Sequence, residues 1–335
     1  MTRRALSVAF GLVIAGCGTG STDVAFDEPV PSLFDDGETA ETGDTATTTA
    51  PPLGVDGVDP DSIPAPRLDA AGVILFESLA APVVGTESGV WTVATPCGAS
   101  RTGVEPNPTT AVVVLDPLGD AGTESGSAAL ARNARLADLV RDRLVSADIG
   151  AISTRAPTAD VPAPFRREVA EAAGARVVVS IALVEGAAES QPEPALEIVH
   201  PAADAASRRL AGLLHAAVHP VVERFAVDWP ADVEPGVRAV LNQRGSDYFA
   251  VLQESSGASR AVLHLPLDPE VAETVWASDS NLVPVSDAIA DAVVRFLVTE
   301  DEGTGFVTPL EVVRDAVVAD PTVTCVDPLA VEAEG

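Results

Sequence analysis

The sequence predicts an α/β protein: a three-layer α/β/α sandwich around a mostly parallel sheet, preceded by a small β-type extension. Three observations carry this expectation. Two apolar runs, AVVVL at Ala111–Leu115 and RVVVSIAL at Arg176–Leu183, are rich in β-branched residues and lack polar alternation, as strands covered on both faces do. Other segments place apolar residues at helical spacing, as Leu130, Leu136, Leu139, Val140 and Leu144 do in the first of them. The two kinds of segment alternate along the chain, the order that builds a parallel sheet through crossover helices.

Taken in order, GVILFESLAAPVV at Gly72–Val84 and GVWTVAT at Gly89–Thr95 are short β-type runs broken by Gly and Pro, a hairpin-like extension ending at Pro96-Cys97-Gly98. Glu105-Pro106-Asn107-Pro108 links it to the main domain. There, strand Ala111–Leu115 is followed by a helix over Ser127–Ala147, a short strand at Gly150–Thr154 and a helix at Pro164–Ala173. Next come the strand Arg176–Leu183, a long amphipathic helix over Ser207–Phe225, a strand at Ala261–Leu265 and a closing helix over Val285–Leu297.

The chain begins with MTRRALSVAFGLVIAGC. Two arginines precede an apolar run too short to span ~30 Å of hydrocarbon, so residues 1–16 read as an export signal. Ile14-Ala15-Gly16-Cys17 resembles the bacterial lipoprotein box, which implies that Cys17 becomes a lipid-modified N-terminus. No other segment reaches 18 apolar residues, so the expected location is extracytoplasmic, on a bacterial membrane through the lipid alone. From Gly18 to Pro66 there are 11 acidic and no basic side chains, and GETAETGDTATTTAPP has little to bury, so residues 17–66 read as a disordered acidic tether. The remaining divisions are the extension and linker at 67–108, the α/β domain at 109–300 and a C-terminal tail at 301–335.

Charge excludes one class of partner. The 335 residues carry 50 acidic and 20 basic side chains, a net charge of −30. Such a chain repels a phosphate backbone, so no nucleic-acid partner is expected. Every basic residue is Arg. Once Cys17 is acylated, Cys97 and Cys325 are left in an oxidising compartment, where one bridge is the expected pairing.

The ordered pieces of the main domain resemble the zinc-dependent N-acetylmuramoyl-L-alanine amidases, which cut between the glycan and the stem peptide of peptidoglycan. AVVVLDP at Ala111–Pro117 resembles the family's opening strand, and Ser153-Thr154-Arg155 its Thr-Arg after the second strand. Arg166 with AEAAGARVVVSIA resembles the Arg helix, Ala-Gly-Ala turn and Ser-Ile-His strand. SRRLAGLLHAAV resembles the long crossing helix, and LNQRGSDYFAVLQESSGASRAVLHL the late substrate-side segment and last core strand. TPCG before the domain and GTGFVTP…CVDP after it resemble one branch of the family. The resemblance spans residues 90–329 and implies a sheet of about six strands.

The family holds zinc with two His and a Glu and leaves one position open for activated water. At the matching positions this chain has Gly119, Ala182 and the region of Ala129, and His264-Leu265 stand where the family's catalytic Glu lies. The resemblance therefore implies a degenerate member without cofactor: an envelope lipoprotein that binds peptidoglycan or a cell-wall enzyme. An active amidase with rearranged ligands and a structural envelope lipoprotein are the alternatives. If a cleft survives, its candidates are Asp116, Arg166, Asn242, Asp247 and Tyr248. Asp116, Asp120 and Glu124 form an oxygen-rich cluster of the kind that suits Ca²⁺ or Mg²⁺, at a density close to the background of so acidic a chain. His215 and His219 are spaced four apart, read as solvated surface residues. His264 is read as facing the former cleft or, as a lone His more often is, as a packed or surface residue, and His200 ends a strand without a nameable partner.

Overall fold

The computed structural model describes residues 55–77, 79–104, 107–119, 124–159, 161–185, 196–225, 236–253, 257–267, 274–314 and 327–329. The export signal, Cys17, the tether up to residue 54, Asp120, the side chain of Glu124 and Cys325 lie outside the described residues.

The extension is a four-stranded antiparallel meander in sequence order: β1 (Val73–Leu75), β2 (Ala80–Glu87), β3 (Val90–Ala94) and β4 (Ser100–Val104). Ser88 and Gly89 join β2 to β3, both at positive φ (53° and 81°), which matches the twist of a two-residue hairpin. β4, SRTGV, escapes the sequence reading because it has no apolar run.

The main domain contains β5 (Val113–Pro117), α1 (Glu124–Val145), β6 (Ala151–Ser153), α2 (Ala163–Ala173), β7 (Val177–Glu185), β8 (Glu197–Val199), α3 (Ala205–Val222), β9 (Gly236–Asn242), β10 (Ser259–Leu267), α4 (Asp279–Val298) and β11 (Phe306–Arg314). Its sheet has seven strands in the order β11-β9-β8-β10-β7-β5-β6. β8 and β10 run antiparallel, and every other neighbouring pair is parallel. The fold class is the expected one, with one more strand than the resemblance implies. That strand, β11, comes from the segment read as a tail, where Pro309, Glu311 and Arg314 interrupt the apolar pattern.

Each face of the sheet is buried, which is why its central strands are continuously apolar. Val113, Leu115, Val179, Ile181, Leu263 and Leu265 point to one face and pack under α1, α3 and α4. On the other face, Val114, Ile152 and Val178 pack under α2 and the meander, and Ala182, Val199, Val240 and Val262 pack under Val251 and Leu252. Residues 55–66, read as the end of the tether, instead lie on the α1–α4 side. Val55 is buried and its N–H donates to Asp291 of α4 at 2.9 Å, Arg143 of α1 makes two hydrogen bonds to the Asp56 carboxylate, and Val58 and Ile63 pack on the core. The acidic composition of the whole segment hides these three apolar anchors.

Candidate functional site

Parallel strands present their C-terminal ends together, and β5 carries Asp116 there, one residue from the end of the strand. Its carboxylate is 2% exposed as a residue and is fully engaged. Thr154 Oγ1 donates to Oδ1 at 2.8 Å, and Arg166 Nη1 and Ser180 Oγ donate to Oδ2 at 2.6 and 3.0 Å. Arg166 also donates from Nε to the Val161 carbonyl at 3.0 Å. Asp116 and Arg166, expected to line a cleft, thus meet each other in a brace that joins β5, β7, α2 and the chain after β6. The reason is reach: a carboxylate facing the α2 layer finds the guanidinium on the first turn of that helix before it finds solvent.

Arg155 closes the same end of the sheet. Its guanidinium donates to the carbonyls of Pro117, Gly119 and Ala159, pinning the loop that leaves β5. Asn133 of α1, buried and unremarked in the sequence, adds a second pin: Nδ2 donates to the Leu118 carbonyl and Oδ1 accepts from the Leu183 N–H, both at 2.7 Å. Gly119 sits at φ +133°, and a Cβ on it would stand 2.9 Å from Leu130 Cβ and 3.0 Å from Leu130 Cα. Ala182 of β7 is buried opposite His264 of β10 and belongs to the apolar cluster that Leu118, Tyr248 and Phe249 flank.

The other three candidates lie at the far side of the sheet. Asn242 ends β9 and closes a turn, its Oδ1 accepting from the N–H groups of Arg244 and Ser246 at 2.9 and 3.2 Å. Asp247 accepts from the Ala202 N–H at 3.1 Å, which ties this turn to the loop after β8, and burial raises its carboxyl above the ordinary range. Tyr248 donates its N–H to the Val240 carbonyl at 2.8 Å and sets its ring edge-on to Phe249. All three are half-buried, and Gln243 to Ser246 between them are exposed. Four strand spacings separate β5 from β9, about 19 Å at ~4.8 Å per step. The structure therefore brings Asp116 to Arg166, and Asn242 to Asp247 and Tyr248, but does not unite the two groups.

The sequence reading missed a buried polar cluster spanning β10, β8, β9 and β11. Glu197 is fully buried on β8. Arg314 of β11 donates to both carboxylate oxygens at 2.9 and 2.8 Å, Arg238 of β9 lies 3.4 Å away, and His264 Nδ1 of β10 lies 3.8 Å away. Burial raises the Glu197 carboxyl while Arg314 and Arg238 pull it down, and burial beside Arg314 lowers His264 to about 3. His264 is thus neutral at pH 7 and packs against Phe249. A partial signal existed in the sequence: Glu197 and Arg238 stand in otherwise apolar β8 and in the apolar run of β9, whereas Arg314 ends a strand already broken by Thr308, Pro309 and Glu311.

His215 is not a surface residue. It is buried on α3, stacks on His219 at 4.8 Å, and is lowered by burial to about 4. His219 faces Glu223 at 3.5 Å. His200 is buried after β8 and donates from Nδ1 to the Pro201 carbonyl at 2.9 Å. Among the described residues no helix is long and apolar enough to cross a membrane.

The chain is similar to cell-wall amidases. It matches the catalytic domain of CwlV, an N-acetylmuramoyl-L-alanine amidase from Bacillus (Paenibacillus) polymyxa var. colistinus, at 20% identity and a TM-score of 0.44, over 55% of this chain and 97% of that one. It matches an N-acetylmuramoyl-L-alanine amidase from Clostridium difficile 630 at 19% identity and a TM-score of 0.45, over 57% and 99%. The CwlD amidase from Clostridioides difficile, solved in complex with the GerS lipoprotein, matches at 16% identity and a TM-score of 0.42, over 56% and 98%. No family model and no curated protein matches the chain.

Proposed function

We propose that this chain is an extracytoplasmic lipoprotein whose amidase-like domain binds peptidoglycan without cutting it. The observation that carries the reading is the state of the positions that the sequence resemblance marks for zinc. Gly119, Ala129 and Ala182 offer no donor atom, so zinc does not fit this set. The surroundings support the same reading: a side chain at 119 would meet the backbone of α1, and Ala182 lies within an apolar cluster. His264, at the position of the family's catalytic Glu, is buried and neutral rather than poised to move a proton.

Binding is assigned to the turn of Asn242, Asp247 and Tyr248, because it combines partial exposure, an amide, a carboxyl and an aromatic edge. These are groups that take sugar hydroxyls and peptide amides. Asp116 and Arg166 contribute by bracing the strand ends. Anchoring is assigned to Cys17 and a disulfide to Cys97 with Cys325. The bridge is supported by the disulfide-bonded state of Cys97 and by Arg101 of β4, which donates to the Leu329 carbonyl at 3.2 Å and so holds the chain just beyond Cys325 next to the meander. Cosedimentation with purified peptidoglycan tests the reading. The triple change Asn242→Ala, Asp247→Ala and Tyr248→Ala should abolish pelleting by the protein that remains folded, with the folded fraction checked by circular dichroism because these side chains also close the turn. Pelleting at the wild-type level would remove this turn from the binding surface.

A further inference from the structure

We propose that protonation of His215 releases the strap Gly303-Thr304-Gly305, and with it the start of β11, from α3, so that β11 is an acid-sensitive strand. The ring lies where a charge has nothing to meet it. His215 is 9% exposed, and among the described residues neither ring nitrogen has a hydrogen-bond partner. A buried cation without an acceptor is strongly disfavoured, so the charged ring must reach water. What stands over it is the strap.

Glycines fit the strap to the uncharged ring. Gly305 crosses the imidazole so closely that a Cβ there would overlap it, and a Cβ on Gly303 would overlap the backbone of Gly212 and Leu213. Both glycines sit at positive φ, 77° at Gly303 and 88° at Gly305. Two hydrogen bonds hold the strap. The Thr304 N–H donates to the Gly212 carbonyl of α3 at 3.0 Å, and the Val237 N–H of β9 donates to the Gly305 carbonyl at 2.6 Å. Beyond the strap, the pairing of β11 with β9 breaks register between Phe306 and Glu311. The near end of β11 therefore depends on the strap, while its far end is held by the Arg314 bonds to Glu197.

The charged groups on the surrounding elements offer the ring no counter-ion. His219 stacks on it from the next turn of α3 and disfavours a second positive charge; Glu223 faces His219 at 3.5 Å. Before the strap, Asp301 is bonded to Arg295 and Glu302 is exposed; after it, Arg208 covers the Phe306 ring. Along α4, Asp287 and Asp291 line a groove with Arg224 and Arg295. Glu197, Arg238, Arg260 and His264 belong to the opposite face of the sheet. The release itself does not depend on wall binding. One consequence rests on that reading: Arg314 pairs in register with Asn242, so freeing β11 would loosen the strand that leads into the proposed binding turn.

The test is amide hydrogen exchange on the full-length protein at pH 7.5 and 5.0, with rates corrected for the intrinsic effect of pH. Thr304 and Val237 report the release, because their N–H bonds break when the strap leaves. The His215 value of about 4 in the closed form lies below the ordinary ~6.5, so the closed form is favoured above pH ~6.5 and loses ground on acidification. Over the tested interval the released form gains roughly 25-fold. Protection at both amides should fall by about that factor in the wild type and in His264→Gln, and should stay level in His215→Gln and His215→Phe. At pH 5.0 it should also lie below that of Leu115 in β5, the mark of a local opening rather than unfolding of the whole domain. A wild-type fall under ~3-fold, its loss in His264→Gln, its persistence in a folded His215 variant, or protection equal to that of Leu115 would overturn the proposal. Should neither His215 variant fold, the wild-type and His264→Gln results decide alone. No peptidoglycan is present, so a failure here leaves the wall-binding reading standing, and cosedimentation tests that reading separately.

Discussion

Asp116 offers the most direct way to separate bracing from binding. Alanine at this position removes three acceptor contacts from Thr154, Arg166 and Ser180 and leaves a guanidinium that is 10% exposed without its counter-ion. Breaking a buried pair from one side costs about 3–5 kcal/mol, and the two hydroxyl bonds, worth ~1 kcal/mol each, fall largely within that figure because the contacts share one carboxylate. Urea unfolding should therefore show a lower midpoint at an unchanged slope, a loss of about 3–5 kcal/mol. The double variant Asp116→Ala, Arg166→Met should recover a large part of it, since no charge is then left buried. Wall binding by the folded fraction should persist. A loss under ~1 kcal/mol, or a double variant that costs the sum of the two singles, would refute the brace.

Gly119→Ala should lose ~1–3 kcal/mol in the same assay, from a positive φ and from contact with Leu130; an unchanged midpoint would show that α1 yields freely. Glu197→Gln should cost about 3–5 kcal/mol and free β11, read as faster exchange over residues 306–314, because it removes the carboxylate that Arg314 grips with two hydrogen bonds. His215 and His264 have folded pKa values of about 4 and about 3, below the unfolded ~6.5, so the unfolded chain binds more protons as pH falls. Their contribution is complete above pH ~6.5 and is lost on acidification toward those values, at up to ~1.4 kcal/mol per pH unit for each. The raised Glu197 works in the opposite sense, adding stability as pH falls from its raised folded value to the ordinary carboxylate range. His264→Gln should flatten the slope between pH 6.5 and 4, and an identical slope would remove His264 from it. Cys97→Ser, or reduction, should cost ~2–5 kcal/mol if the bridge closes the domain, and peptide mapping without reductant should join the Cys97 and Cys325 peptides.

The fold was legible where burial on both faces forced unbroken apolar runs, as in AVVVL and RVVVSIAL, and where helices alternated with them. It was less legible where strands carry function-neutral charge. β8, β9 and β11 each place a Glu or Arg on the buried face, and those charges are satisfied by one another across strands, a relation no local pattern encodes. β4 is short and polar, and Val55, Val58 and Ile63 are too sparse to lift an acidic segment above the composition of a tether. At the site, sequence resemblance grouped Asp116, Arg166, Asn242, Asp247 and Tyr248 as one cleft, whereas the structure holds them in two separate groups. It did not distinguish a carboxylate saturated by three donors from one at a half-exposed turn, because that difference depends on Thr154 and Ser180 arriving from other elements.

One measurement addresses the central claim most directly. The protein is incubated with purified peptidoglycan, the pellet is assayed for bound protein, and the supernatant is analysed by mass spectrometry for stem peptides bearing a free L-alanine amine. The account predicts protein in the pellet and no such peptides, with or without added zinc. Release of L-alanine-headed stem peptides above the level of a heat-inactivated control would contradict it.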